Sequence, residues 1–499
     1  MTGHDYGYSD LPTLEDELGF KPSVDALLQI IQDTILADTP LTIGIYGPWG
    51  SGKTSMMRMI IDQIDPQSCL TVWFDAWRYA QSETLWRALL LSIVEELRVR
   101  TTHDDNWLRA YVEHRNRLDP ASAQQPIDDA ALDSGREQLN TRFDDLIASL
   151  YRSVDREQPG EIEFQWDQAG KLVAGTIIRA GFSSIPILGG ITKAVEKASE
   201  KAGEEDYAER ILSLFQRQKV KIYRDQVRSL EQFYRDLKCL VTELVSNLDR
   251  RLVVVIDDLD RCLPEQAIGV LEALKVFLDV RGCIFVLGVD RAIIERGIRV
   301  RYKEFAISSD AGATGVFPVA GRDYLEKIVQ IPFDLPPLDA SVILAFLQRR
   351  LPSLSVLNAE EAANVAALMT VGLIRNPRKV KRTFNVFRLL LALDRARGCR
   401  TPAGLIAKLT VIQSSFADLY ERIARAPTLL RDIEQIVRGT PGAGAIAQDL
   451  REEVGRSDAR LKELLCMTPF FDGLSDNELA ELVYQSRVTR DNTGAAPSS

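Results

Sequence analysis

The chain has 499 residues, of which 45% are hydrophobic and 26% charged, and its formal net charge is −10. These proportions exclude a collagen-like chain, wholesale disorder and a polytopic membrane protein, and at roughly 100–200 residues per domain the length calls for two to four domains or one large domain with an insertion. The acidic balance argues against a global electrostatic grip on nucleic acid, and three histidines (His4, His103 and His114) are too few for a histidine-rich metal site or a histidine-centred triad.

Residues 23–36 carry apolar groups at helical spacing, with Ser23 as N-cap, and Thr42–Tyr46 is a short β-rich run. A glycine-rich turn and an apolar helix from about Lys53 to Ile64 follow. Leu70–Phe74 reads as a buried strand, and a long helix is predicted from about Glu83 to Arg100. Residues 101–250 change character: they are charged and helical in pattern, with amphipathic stretches at 133–152 and 205–249 and an apolar patch at 169–195. Strands resume at Leu252–Ile256, Cys283–Val289 and Ile328–Phe333. Beyond residue 338 the pattern is helical again, at 339–350, 359–371, 376–396 and 401–424. Strands alternating with helices predict an α/β fold: a three-layer sandwich on a mainly parallel sheet, with a long helical insertion and a C-terminal helical lid. The expected divisions are 1–100 and 251–337 for the two halves of the sheet domain and 101–250 for the insertion. The lid is expected over 338–435, further helices over 436–490, and a disordered tail over 491–499.

Gly47-Pro48-Trp49-Gly50-Ser51-Gly52-Lys53-Thr54, followed by Ser55, fits the pattern G-x-x-x-x-G-K-[ST] between a β-branched strand and an apolar helix. Glycines let the backbone wrap a phosphate and aim N–H groups at it, and the helix N-terminus adds partial positive charge. Lys53 is placed to reach the β- and γ-phosphates, and the Thr54 hydroxyl to ligate Mg²⁺. The run Val253–Ile256 ends in Asp257 and Asp258, which puts two carboxylates at the sheet's carboxyl edge, where ligands of such sheets bind. Asp257 is the expected Mg²⁺ partner, and Asp258 the group that orients or deprotonates the attacking water. No Asn-Lys-x-Asp guanine-recognition sequence occurs, so ATP is preferred over GTP.

Further candidates surround these motifs. Asp75 ends the second strand as a candidate to share water positioning with Asp258, and Trp77 and Tyr79 after it read as core aromatics, with packing on the sheet edge or near the nucleotide as the alternative. Asp290 ends another strand, where it serves as a γ-phosphate sensor, as the N-cap of the helix that follows, or as both. Residues 375–400 hold nine Arg or Lys against the single acid Asp394. Three readings stand: a lid helix presenting Arg378 or Arg382 to the phosphates, a patch for a partner or nucleic acid, and a solvated face. Arg261 and Arg291 are alternative fingers, supplied in trans in a ring or dimer. In the patch 169–195, Lys171, Arg179 and Lys193 leave only the 13 residues Ala180–Thr192 free of charge, short of the ~20 that a spanning helix needs. It reads as a buried or interfacial hairpin, with peripheral membrane contact as the alternative. Residues 1–10 show no secretory signal, so a cytoplasmic or membrane-associated protein is expected. The six cysteines, with no Cys-x-x-Cys pair, are expected to be reduced and mostly buried.

Six stretches taken together resemble the KAP family of P-loop NTPases, placed with the STAND group of signalling ATPases. They are Asp16–Phe20, Gly44–Ser55, Phe74–Tyr79, Asp257–Cys262, Gly288–Arg291 and Tyr324–Phe333; Asn376–Arg382 looks like the family's basic helix. The resemblance implies an ATP- and Mg²⁺-dependent switch or scaffold with protein partners or self-association. It also implies an association with phage exclusion in bacterial members and with membrane platforms in animal ones. Many members carry transmembrane helices between the two nucleotide motifs, where this chain has residues 101–250.

Overall fold

The computed structural model describes residues 11–81, 85–118, 127–152, 231–274, 280–301, 321–351, 356–373, 375–440 and 448–489. The apolar patch 169–195, most of the stretch 205–249 and the tail 491–499 lie outside the described residues. Five strands, β1 (Leu41–Tyr46), β2 (Cys69–Asp75), β3 (Arg251–Asp257), β4 (Cys283–Val289) and β5 (Ile331–Asp334), form one parallel sheet in the order β2-β3-β4-β1-β5. The strand before the phosphate loop and the strand before Asp257 are therefore not neighbours: β4 lies between them. All five strands end at the same edge, so Tyr46, Asp75, Asp257, Val289 and Asp334 line it.

The near-continuous apolar runs of β1, β3 and β4 follow from burial on both faces. On one face Val72, Phe74, Val254, Ile256, Phe285 and Leu287 meet the helices that follow β2 and β3. On the other, Ile43, Ile45, Val253, Val255, Ile284 and Val286 meet α1 (Lys21–Asp33) and α2 (Lys53–Asp62). Between β2 and β3 the described residues hold α3 (Leu85–His103), α4 (Asp105–Leu118), α5 (Asp129–Arg152) and a helical stretch at 231–244, with no strand among them. Their apolar sides join the same core as the sheet, through Trp107, Phe143 and Phe233. α6 (Pro264–Leu274) and α7 (Arg291–Arg301) follow β3 and β4.

Beyond β5 the described residues are helical and pack around a second core. α8 is Ala340–Arg350, α9 is Ala359–Gly372 behind an Asn358/Glu361 capping box, and α10 is Pro377–Ala396 behind the N-cap Asn376.

Two expectations on element bounds are corrected. The strand read over 328–333 begins only at Ile331, because the Ile328 and Val329 N–H groups donate back to the Leu325 carbonyl and close a helical turn first. The helix read over 401–424 is two, α11 (Ala403–Ser415) and α12 (Ala417–Arg425), with Phe416 out of helical geometry at φ −134°. No Gly or Pro marks that break. The turn lets the Tyr420 hydroxyl meet Ser486 Oγ at 2.7 Å while Gln413 donates to the Ser486 carbonyl at 3.0 Å. The cysteines are free as expected, but only Cys69 and Cys283 are buried. No helix among the described residues is long and apolar enough to cross a membrane.

The second core holds an ion pair with no access to solvent. Lys408 Nζ on α11 lies 2.9 Å from Glu434 Oε1 on the helix Leu429–Arg438, and the two side chains are 0% and 1% exposed. Glu434 Oε2 accepts the Phe471 N–H at 2.6 Å. Burial pushes the lysine's pKa down and the glutamate's up, and the pair opposes both shifts. Removing one partner strands the other charge, so Lys408→Met is expected to cost about 3–5 kcal/mol. Lys408→Met with Glu434→Gln keeps an acceptor for Phe471 and recovers part of that loss. Urea unfolding followed by circular dichroism reads both variants.

Candidate functional site

The turn from Gly47 to Thr54 joins β1 to α2, and its backbone needs glycine at two points. Gly50 has φ +80° and Gly52 φ +103°, left-handed values that other residues adopt only under strain. Neither has room for a side chain: a Cβ on Gly50 would lie 2.8 Å from Arg378 Cβ, and one on Gly52 2.8 Å from the Phe20 ring. Lys53, 6% exposed, folds back so that Nζ donates to the carbonyls of Gly47 at 2.8 Å and Pro48 at 3.4 Å. The same ammonium lies 3.5 Å from Asp260 Oδ2. Ser51 N–H closes the turn on Pro48 O at 3.1 Å, and Ser55 Oγ accepts the Thr13 N–H at 3.2 Å. Pro48 and Trp49 sit on the outside of the loop, Trp49 with 61% of its surface exposed.

Asp257 closes β3 opposite Asp75 of β2 and is 3% exposed. Burial raises its pKa, opposed by hydrogen bonds from the Thr54 hydroxyl and from the Asp258 N–H, the latter at 2.9 Å to Oδ1. The fold thus brings Thr54 and Asp257 together from distant parts of the sequence. Asp258 takes the left-handed conformation, φ +56°, which turns its side chain out of the strand line. Its pKa is pushed up to about 6, first by burial and then by the neighbouring Asp257 charge. Arg261 Nη2 pairs with Asp258 Oδ1 at 2.7 Å. Asp290 accepts the Ala292 N–H through Oδ1 at 3.0 Å, which is the N-cap arrangement, and its own N–H donates to Asp260 Oδ2 at 2.8 Å.

Thr54 and Asp257 fit a hard divalent cation. They offer two oxygen donors beside a loop with no space for added side chains, and Mg²⁺ commonly takes only one or two protein oxygens, with phosphate and water as the rest.

The Arg378 guanidinium lies over the Trp49 ring, 4.9 Å from the centroid. Arg261 lies over Trp49 at 5.8 Å and over Trp77 at 5.2 Å, between two exposed indoles. The core reading of Trp77 and Tyr79 is corrected: they are 56% and 37% exposed, although Tyr79 stacks on the buried Phe74 with ring centroids 5.3 Å apart. Arg291 lies over the Tyr46 ring at 4.1 Å and pairs with Asp334 at 3.6 Å, beside a cavity of about 250 Å³.

Two residues stand in the site without having been singled out from the sequence. Asp260 links Lys53 to the end of β4, and its signal was a third carboxylate three positions after Asp257. Asn376 donates through Nδ2 to the Trp49 carbonyl at 3.0 Å, and its signal was an Asn-Pro pair opening a basic helix.

A sequence model of the KAP family P-loop domain matches residues 20–111 and 138–393. The phage T7 exclusion protein of Escherichia coli (strain K12) is 23% identical over 347 residues, which cover 68% of this chain and 35% of that protein. The chain therefore spans about a third of the length of this relative. A solved structure of the Aeropyrum pernix ORC1 protein in complex with DNA aligns over 95% of this chain and 84% of its own, at 10% identity and a TM-score of 0.35, too slight a likeness to carry an argument. With the P-loop motif, the parallel sheet and the family match in agreement over more than half of its length, the chain belongs to the KAP family of P-loop domains.

Proposed function

We propose that the protein binds Mg²⁺·ATP at the loop Gly47–Ser55 and hydrolyses it slowly, as a switch. One observation carries this reading. Thr54 stands beside the buried Asp257 carboxylate, with the Lys53 ammonium in the same cleft. Thr54 and Asp257 would hold a bound Mg²⁺, which would supply positive charge to offset that of the phosphates. Lys53, released from Gly47 O and Asp260, turns its ammonium to the phosphates. Asp258 stands at the same edge as the water-orienting or proton-accepting group, and Asp290 and Arg378 are the proposed γ-phosphate contacts. Such a site works by positioning and electrostatics. The name of the E. coli relative suggests phage defence as the setting, with the C-terminal helices as output.

A specific contact favours a second reading, a nucleotide-stabilised scaffold that recruits partners without turnover. Asp258 is already engaged by Arg261 at 2.7 Å, and that guanidinium competes with an attacking water for the carboxylate oxygen.

Two variants separate the readings. Lys53→Ala removes a charge-assisted contact and is expected to weaken ATP binding by about 10- to 150-fold, read by titration with a fluorescent ATP analogue. Equal affinity in the variant and the wild type would falsify the site. Asp258→Asn is expected to leave binding within about threefold and to lower phosphate release by ~100-fold or more. If phosphate release survives that change, the hydrolytic role of Asp258 fails. If plating of a phage panel is altered by the wild-type gene and equally by the Asp258→Asn gene, the scaffold is the better account.

A further inference from the structure

We propose that Asn376 is a positioning residue for the phosphate loop: its side-chain amide sets the peptide plane between Trp49 and Gly50 and thereby ties the loop to α10. The amide is used at both ends. Oδ1 accepts the Lys379 N–H at 3.2 Å as the N-cap of α10, and Nδ2 donates to the Trp49 carbonyl at 3.0 Å. Asn376 has an extended backbone, and Pro377 after it restricts that backbone further, so the side chain leaves from a fixed base.

A second bond runs alongside. The first N–H groups of a helix have no partner within it, and that of Arg378 donates to the Gly50 carbonyl at 3.3 Å. The approach is close enough that a Cβ on Gly50 would lie 2.8 Å from Arg378 Cβ and 3.0 Å from Asn376 Oδ1. Helix and loop are thus in backbone contact.

The consequence follows from peptide geometry. In a planar trans peptide the N–H points opposite to the C=O. Holding the Trp49 carbonyl toward α10 therefore turns the Gly50 N–H away from it. Holding the Gly50 carbonyl does the same for the Ser51 N–H, which donates to Pro48 O at 3.1 Å. A loop that grips phosphate through backbone N–H groups gains affinity when those groups are oriented before the anion arrives. Asn376 reaches no phosphate itself; it acts through the loop. The effect on ligand affinity rests on the Mg²⁺·ATP reading above, whereas the tie between loop and helix does not.

The test uses the full chain. Asn376→Ser keeps a capping oxygen but is too short to reach Trp49 O, and Asn376→Ala loses both contacts. In nucleotide-free protein, amide hydrogen exchange over residues 47–54 is expected to speed up in both variants, and exchange over 377–396 only in the alanine variant. With Mg²⁺·ATP, the serine variant is expected to bind roughly five- to tenfold more weakly, with kcat within about twofold of wild type. Wild-type exchange over 47–54 in the serine variant overturns the proposal, and so does a fall in kcat at unchanged KM. If the wild type itself binds no Mg²⁺·ATP while the exchange pattern is as expected, the nucleotide reading falls and the positioning of the loop by Asn376 stands.

Discussion

Carboxylates gathered around one buried ammonium are the constraint on which the rest of the site depends. Asp75 and Asp257 end adjacent strands in register, Asp258 and Asp260 follow in the next turn, and Lys53 faces Asp260. The charges of Asp257, Asp75 and Asp260 all push the Asp258 pKa up, beyond what its burial does. Such a cluster persists only where hydrogen bonds and counter-charges hold it. The structure supplies Thr54 and a backbone N–H to Asp257, Arg261 to Asp258, and Lys53 with the Asp290 N–H to Asp260.

The parallel sheet makes this gathering feasible. With β4 between β1 and β3, the phosphate loop and the carboxylates stand one strand apart, and the end of β4 bridges them, Val289 O accepting the Gly47 N–H at 3.3 Å and the Asp290 N–H donating to Asp260. Around the loop, the N-terminal segment and the C-terminal helices close from two sides. Phe20 lies over Gly52, while Arg378 and Asn376 lie over Gly50. The two sides are joined to each other, because Glu17 pairs with Arg350 and its carbonyl accepts from Arg349 at 3.0 Å. Leu18 packs against both the sheet-side core and the second core. A change in the loop therefore has direct physical paths into the helical region.

Much of this was legible residue by residue. The β-branched runs of β1, β3 and β4 stand out because strands covered on both faces are apolar throughout, and the phosphate loop stands out because its conformation demands glycine at fixed positions. What escaped were features set by distant partners. The break at Phe416 has no local breaker and follows from anchoring to Ser486. Trp77 looks like a core aromatic by type, yet it lies outside, against Arg261, while Tyr79 stacks on Phe74.

The sequence by itself determined the local chemistry: a glycine turn with a lysine, a strand ending in paired carboxylates, an alternation of strand and helix. Each of these depends on neighbours within a few positions, where φ/ψ limits and side-chain periodicity act. Only the tertiary structure decided which groups meet: that Thr54 stands beside Asp257, that Lys53 rests near Asp260, and that Asn376 holds the Trp49 carbonyl. Those contacts join residues far apart in the chain, and their geometry depends on strand order and helix packing, which local propensity does not encode.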